Sequence, residues 1–142
     1  MGMINFFFEN TRNIDIKRRK LKELINYLLE KEGFIGKEIN VIFCTDEYLL
    51  ALNEKFLKHD YYTDIITFDN SHNNLITGEL YISMERIEEN AKKFNVTLIK
   101  ELYRVIIHGV LHLAGYKDKD SVEKQLMTGK EDYYLMILQK SL

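Results

Sequence analysis

The residues best suited to chemistry in this 142-residue chain fall in one short run, His108-Gly109-Val110-Leu111-His112-Leu113-Ala114-Gly115-Tyr116-Lys117-Asp118. Residues four apart on an α-helix lie only about 40° apart around the axis and one turn along. On a helix, His108 and His112 therefore aim two imidazoles at one point, as a pair of metal ligands does. Gly115 stands where a helix can stop with a left-handed residue, and the turn that follows can carry Asp118 to the same point. Two neutral imidazoles and one carboxylate suit Zn2+, one ion per chain, and three protein ligands leave a fourth position open for water. An open position implies catalysis rather than a structural clip. Zinc lowers the pKa of its water to roughly 7, which supplies hydroxide at neutral pH and a Lewis acid for a phosphoryl or carbonyl oxygen.

Two histidines at this spacing also occur as ordinary hydrogen-bonded residues. Here both lie in an otherwise apolar stretch, where adjacent imidazoles are costly to bury without a strong partner, and that favours the metal. The run is similar to the zinc-peptidase pattern H-E-x-x-H-x-x-G-x-x-H, some members of which end in Asp. The position after the first histidine is Gly109, however, so the carboxylate that takes the proton in such a peptidase is missing.

The elements that must position this run can be read from periodicity. Met3 to Glu9 reads as a strand, and Leu21, Leu24, Ile25, Leu28 and Leu29 mark a helix from about Asp15 to Gly33 with Lys17, Arg18, Arg19, Lys20 and Lys22 in its early turns. Ile39, Val41 and Phe43 alternate with Asn40, Ile42 and Cys44 as a second strand. Thr45 caps a helix presenting Leu49, Leu52 and Phe56. Tyr62 to Phe68 and Gly78 to Ser83 read as two more strands, paired as a hairpin across a long polar connection containing Ser71-His72-Asn73-Asn74. Ser83 caps a helix bearing Met84, Ile87, Ala91 and Phe94, and Thr97 caps a longer one that runs to Gly115. That longer helix is apolar on nearly every face and is expected at the centre of the protein. Asp120 and Glu123 resemble a capping box for a last helix through Leu138, weakened in its middle by Gly129. The expected fold is α+β (α/β-like): one small mixed sheet of about four strands, surrounded by about five helices, with the central buried helix carrying the metal site.

The spacing of these segments resembles the YbeY-type endoribonucleases, also described as ribosomal RNA maturation factors. Their signature H-G-x-L-H-L-x-G-Y-D-H is matched at His108, Gly109, Leu111, His112, Leu113, Gly115 and Tyr116. Leu52-Asn53 with Thr63-Asp64-Ile65-Ile66-Thr67-Phe68 looks like the family's L-N and T-D-V-L-S-F segments, Gly78 to Ser83 like G-D-I-x-I-S, and Met127 with Glu131 like M-x-x-x-E. The family's third histidine is Asp118 here, preceded by Lys117, and Asp is a harder zinc ligand. The arginine that commonly follows the aromatic residue after L-N is Leu57, with Lys58 and His59 beside it, and Lys55, Lys58 and His59 are the candidates for offsetting phosphate charge. Two family prolines are Tyr62 and Asp69.

The resemblance implies a metal-dependent endoribonuclease cutting single-stranded RNA, in small-subunit ribosomal RNA 3′-end maturation and ribosome quality control. It implies His108, His112 and Asp118 as metal ligands, His108, His112, Lys58 and His59 as the catalytic set, and RNA and ribosomal particles as partners. A zinc metallopeptidase-like hydrolase and a non-catalytic ribosome-associated factor are the alternatives. The Lys17–Lys22 cluster is either an RNA-steering patch or a solvated helix face, and Tyr61, Tyr62 and Tyr116 either stack on bases or pack.

Composition narrows the classes. At 16.9 kDa and 46% hydrophobic residues the chain suits one domain, 1–142, with its own core. A lone cysteine, Cys44, excludes a disulfide scaffold and a Cys-rich zinc module. Net charge −2 means that any nucleic acid must meet a local basic patch. No apolar run approaches the roughly 20 residues of a membrane span, and Phe6-Phe7-Phe8 is too short for a signal peptide, so the cytoplasm is the expected setting.

Overall fold

Four strands and five α-helices form from these patterns in a computed structural model that describes residues 2–57 and 63–140. In chain order they are β1 (Met3–Phe8), α1 (Arg18–Lys31), β2 (Ile35–Cys44), α2 (Asp46–Leu52), β3 (Ile65–Asp69), β4 (Leu75–Ser83), α3 (Met84–Phe94), α4 (Leu98–Leu113) and α5 (Ser121–Lys140). A short π-helical segment, Asn53–Leu57, extends α2. The strands make one mixed sheet in the order β1-β2-β4-β3. β1 and β4 run parallel to β2, and β3 runs antiparallel to β4 at the sheet edge. This is the α+β architecture expected from the sequence.

Strand alternation sorts side chains onto two faces. Ile4 and Phe6 of β1, Ile39, Val41 and Phe43 of β2, and Ile76, Leu80 and Ile82 of β4 join the large core with residues of α1, α3, α4 and α5. The opposite face holds a smaller cluster of Cys44, Leu49 and Ile66. Burial pushes the Cys44 thiol up to about 12, helped by Asp46 and Glu9, so it is an inert core residue.

Polar residues fix the element ends. The hydroxyls of Thr45, Ser83 and Thr97 accept from the backbone N–H of Tyr48 (3.1 Å), Arg86 (3.2 Å) and Lys100 (3.2 Å), which starts α2, α3 and α4. At α5, Glu123 N–H donates to Asp120 Oδ1 at 2.8 Å while Asp120 N–H donates to Glu123 Oε1 at 3.2 Å, the reciprocal capping pair.

Some boundaries differ from the sequence reading. α1 starts at Arg18, because Asp15 Oδ1 accepts from Lys17 N–H and turns the chain there, with Lys17 at φ 55°. β2 starts at Ile35, its polar Lys37 and Glu38 having masked a stretch that pairs with Leu75–Thr77 of β4. The hairpin connection is accordingly short: β4 begins at Leu75, and Asn73 supplies a left-handed residue at φ 56°. Phe56 and Phe94 are exposed, whereas their helical spacing had placed them on packed faces.

Candidate metal centre

α4 carries its polar residues in one stripe. Glu101, Arg104, His108 and His112 recur at three- and four-residue intervals, while the remaining faces bury Leu102, Val105, Ile106, Val110 and Leu111. Gly109 lets the helix approach the sheet, since a β-carbon there would fall 2.7 Å from Ile65 Cδ1 and 2.9 Å from Leu80 Cδ2. A carboxylate side chain at that position would have to enter the same space. The ends of the Ile65 and Leu80 side chains therefore occupy the place where the general base of the peptidase pattern would start.

The helix ends as expected. Gly115 adopts φ +98°, Tyr116 N–H donates to the Leu111 carbonyl at 3.0 Å, and the chain turns so that Asp118 faces back toward the helix. Asp118 Oδ2 lies 3.2 Å from His108 Nε2 and 3.4 Å from His112 Nε2, and the two Nε2 atoms are 3.0 Å apart. The structure thus brings together the three groups singled out as ligands.

The far side of each ring decides what these atoms offer. His108 Nδ1 meets Glu131 Oε2 at 2.5 Å, and His112 Nδ1 meets the Tyr116 carbonyl at 2.9 Å. Both partners accept, so Nδ1 carries the proton on each ring and Nε2 presents a lone pair. Two lone pairs and a carboxylate oxygen thus face one another with no donor among them. A tetrahedral ion bonded at about 2.0–2.1 Å holds its ligand atoms about 3.3 Å apart, and the observed triangle is close to that. The donor set fits a divalent cation. Burial lowers the pKa of His108, but the bond and charge of Glu131, then the charges of Asp118 and Asp64, outweigh it and raise the pKa.

Glu131, from α5, is nearly buried and is itself held by Arg104, whose Nη1 donates to Glu131 Oε1 at 3.2 Å. Arg104 also grips buried Glu101 in a fork, Nε to Oε1 at 2.9 Å and Nη2 to Oε2 at 2.6 Å. The hydrogen bonds to Glu101 outweigh burial and, with both carboxylate charges, raise the Arg104 pKa, so it stays charged. Sequence reasoning passed over Glu101 and Arg104 and saw Glu131 only as a motif position. The stripe on α4 was the available signal.

A cleft of about 470 Å³ opens onto the three groups. Its walls include Asn53, Leu57, Asp64, Thr67 and Asp69. Leu57, at the position of the family's arginine, thus faces the site, whereas Lys58, His59, Tyr61 and Tyr62 lie outside the described residues. Asp64 receives a hydrogen bond from Asn90 Nδ2 at 3.3 Å. Burial pushes its carboxyl up, and the charges of His108 and Arg104 offset only part of that. Tyr116 is half-buried against the core, with Lys130 Nζ 5.7 Å from its ring centroid and its phenol donating to Glu32. None of Lys17, Arg18, Arg19, Lys20 and Lys22 lines the cleft.

The family model described as "Endoribonuclease YbeY" matches residues 6–139 of the chain. The chain is similar to "Endoribonuclease YbeY" of Karelsulcia muelleri (strain GWSS), with 46% identity over 138 residues and 97% of each chain covered. It is likewise similar to the protein of that name from Cytophaga hutchinsonii, with 47% identity over 135 residues and 94% of each covered. Among solved structures, the solution structure of TM1509 from Thermotoga maritima superposes with a TM-score of 0.72 at 32% identity, covering 98% of this chain and 91% of that one. A match across nearly the whole length, on the segments that build the cleft and its three converging ligands, shows that the chain belongs to the endoribonuclease YbeY family.

Proposed function

We propose that this chain, as a single domain 1–142, is a zinc-dependent endoribonuclease that cuts single-stranded RNA during ribosomal RNA maturation. His108, His112 and Asp118 hold one Zn2+ per chain. The single observation carrying this reading is the triangle of three acceptor atoms with no donor among them, at the mouth of a cleft. When bound, zinc supplies a Lewis acid against phosphate charge and makes water acidic enough to yield hydroxide near neutral pH.

The chain's own residues do the rest. Glu131 and the Tyr116 carbonyl keep both imidazoles turned toward the ion. The described walls of the cleft carry Asp64, Asp69 and Asp118 but no lysine or arginine, while Arg104 and Lys124 line an adjoining cleft at His108 and Asp118; Lys58 and His59, next along the chain from Leu57, are assigned to offset phosphate charge. The Lys17–Lys22 cluster adds longer-range attraction for RNA. The relatives' names support RNA as the substrate. Small-subunit RNA 3′ ends, ribosome quality control, ribosomal particles as partners and a cytoplasmic setting extend the reading. No helix among the described residues is long and apolar enough to cross a membrane.

Cleavage of single-stranded RNA tests it. His112→Ala removes a ligand and loses cleavage while keeping most RNA binding, and Lys58→Ala with His59→Ala slows cleavage with zinc still bound. Metal-free His112→Ala protein cutting RNA at the wild-type rate contradicts the reading.

A further inference from the structure

Tyr116 is bonded on both sides of its own backbone turn. Its carbonyl accepts from His112 Nδ1 at 2.9 Å, and its phenol donates to Glu32 Oε1 at 2.5 Å. Glu32 closes α1, its N–H donating to the Leu28 carbonyl at 3.0 Å. Its other carboxylate oxygen accepts from Tyr134 at 2.5 Å and from Lys130 at 3.1 Å, both on α5. Glu32 lies far along the chain from every segment that resembles the family signature.

The two histidines are backed unequally. His108 leans on a buried carboxylate fixed by Arg104, whereas His112 leans on a neutral carbonyl in a turn. Beyond the helix-end bonds from Gly115 and Tyr116 N–H and the packing of the Tyr116 ring on the core, the phenol's bond to Glu32 is the polar tie that anchors this turn to α1, for Gly115 has open space around it and Lys117 is exposed. We propose that Glu32, acting through Tyr116, is a positioning residue of the metal centre. It fixes the carbonyl that keeps His112 in its Nδ1–H form with Nε2 toward the ion, and it fixes the turn that delivers Asp118. The proposal rests on His108, His112 and Asp118 being the ligands.

Zinc affinity by competition with a chromophoric chelator, well below the melting temperature, tests it on wild type, Glu32→Gln, Tyr116→Phe, His112→Ala and Ile87→Val. Ile87 is a buried residue of α3 outside this chain of bonds, so its variant reports general loosening of the core. Glu32→Gln and Tyr116→Phe weaken zinc binding by about tenfold or more, the scale of lost outer-sphere support, and alter the absorption of the cobalt-substituted protein. Ile87→Val melts earlier yet binds zinc within about twofold of wild type, as expected of a distant site. If Glu32→Gln and Tyr116→Phe bind as wild type does while His112→Ala has lost zinc, the proposal is wrong and the ligand assignment stands. If Ile87→Val weakens binding as much as they do, softening of the fold explains the loss and the proposal is wrong. If wild type takes up no zinc, the ligand assignment itself fails and this proposal goes with it.

Discussion

His108 and His112 are the same residue type one helical turn apart, yet a charged partner stands behind only one of them. A carboxylate behind an imidazole raises its basicity and fixes its orientation, which strengthens its bond to a metal. Glu131→Gln keeps the shape and removes the charge, leaving Arg104 with Glu101 alone. Zinc affinity should then fall by about 10- to 100-fold, measured by chelator competition, with the fold retained by circular dichroism. Unchanged affinity would mean that Glu131 serves only to pair with Arg104. At this scale the ligands were legible in the sequence because i, i+4 spacing is a strong geometric statement, and Gly115 placed the turn. Glu131 was not, since a buried glutamate on an exposed-looking helix has no local mark of its partner 23 residues away.

The centre is placed by how closely α4 sits on the sheet. Gly78 of β4 lies under the end of that helix, where a β-carbon would come 2.7 Å from Leu113 Cδ2 and 2.7 Å from the Phe68 carbonyl oxygen. The carbonyl belongs to the paired strand and cannot yield cheaply. Gly78→Ala should therefore lower stability by about 1–3 kcal/mol, read from the urea midpoint. Gly129, inside α5, has nothing within 4 Å of its would-be β-carbon. There Ala brings only its higher helix propensity, and Gly129→Ala should raise stability by about 0.5–1 kcal/mol in the same measurement. A rise for Gly78→Ala or a fall for Gly129→Ala would contradict this account of the packing. Caps made the helix starts legible, because Thr45, Ser83, Thr97 and Asp120 each satisfy a backbone donor locally. Strand starts were less so: Ile35 and Gly36 join β2 by pairing with Leu75 and Ile76 of β4, and Glu38 by pairing with Thr77 of β4 and Met3 of β1.

Across the whole molecule, Glu32 ties the end of α1 to α5 and to the turn after α4. Burial pushes its pKa up, but hydrogen bonds from Tyr116, Tyr134 and Lys130 outweigh this and hold the carboxyl below its ordinary value of 4.5. A carboxyl depressed in the folded state stabilises the fold above its unfolded pKa, and that contribution is lost as pH falls through the folded value. With chelator present, the melting-temperature gap between wild type and Glu32→Gln should be widest near neutral pH and should shrink below about pH 4.5. A gap that stays constant down to pH 3 would show that the carboxylate charge is not what matters. The net charge of −2 gives no general pull on RNA, so attraction must come from local cations. The sequence could name such cations but not show which share a surface. The central claim is that His108, His112 and Asp118 together grip one divalent ion, and metal analysis of the purified protein tests it most directly. Wild type should carry about one zinc per chain, and His108→Ala, His112→Ala and Asp118→Ala should each lose most of it while remaining folded. Full zinc content in any of the three variants would contradict that residue's place among the ligands, and full content in all three would contradict the account.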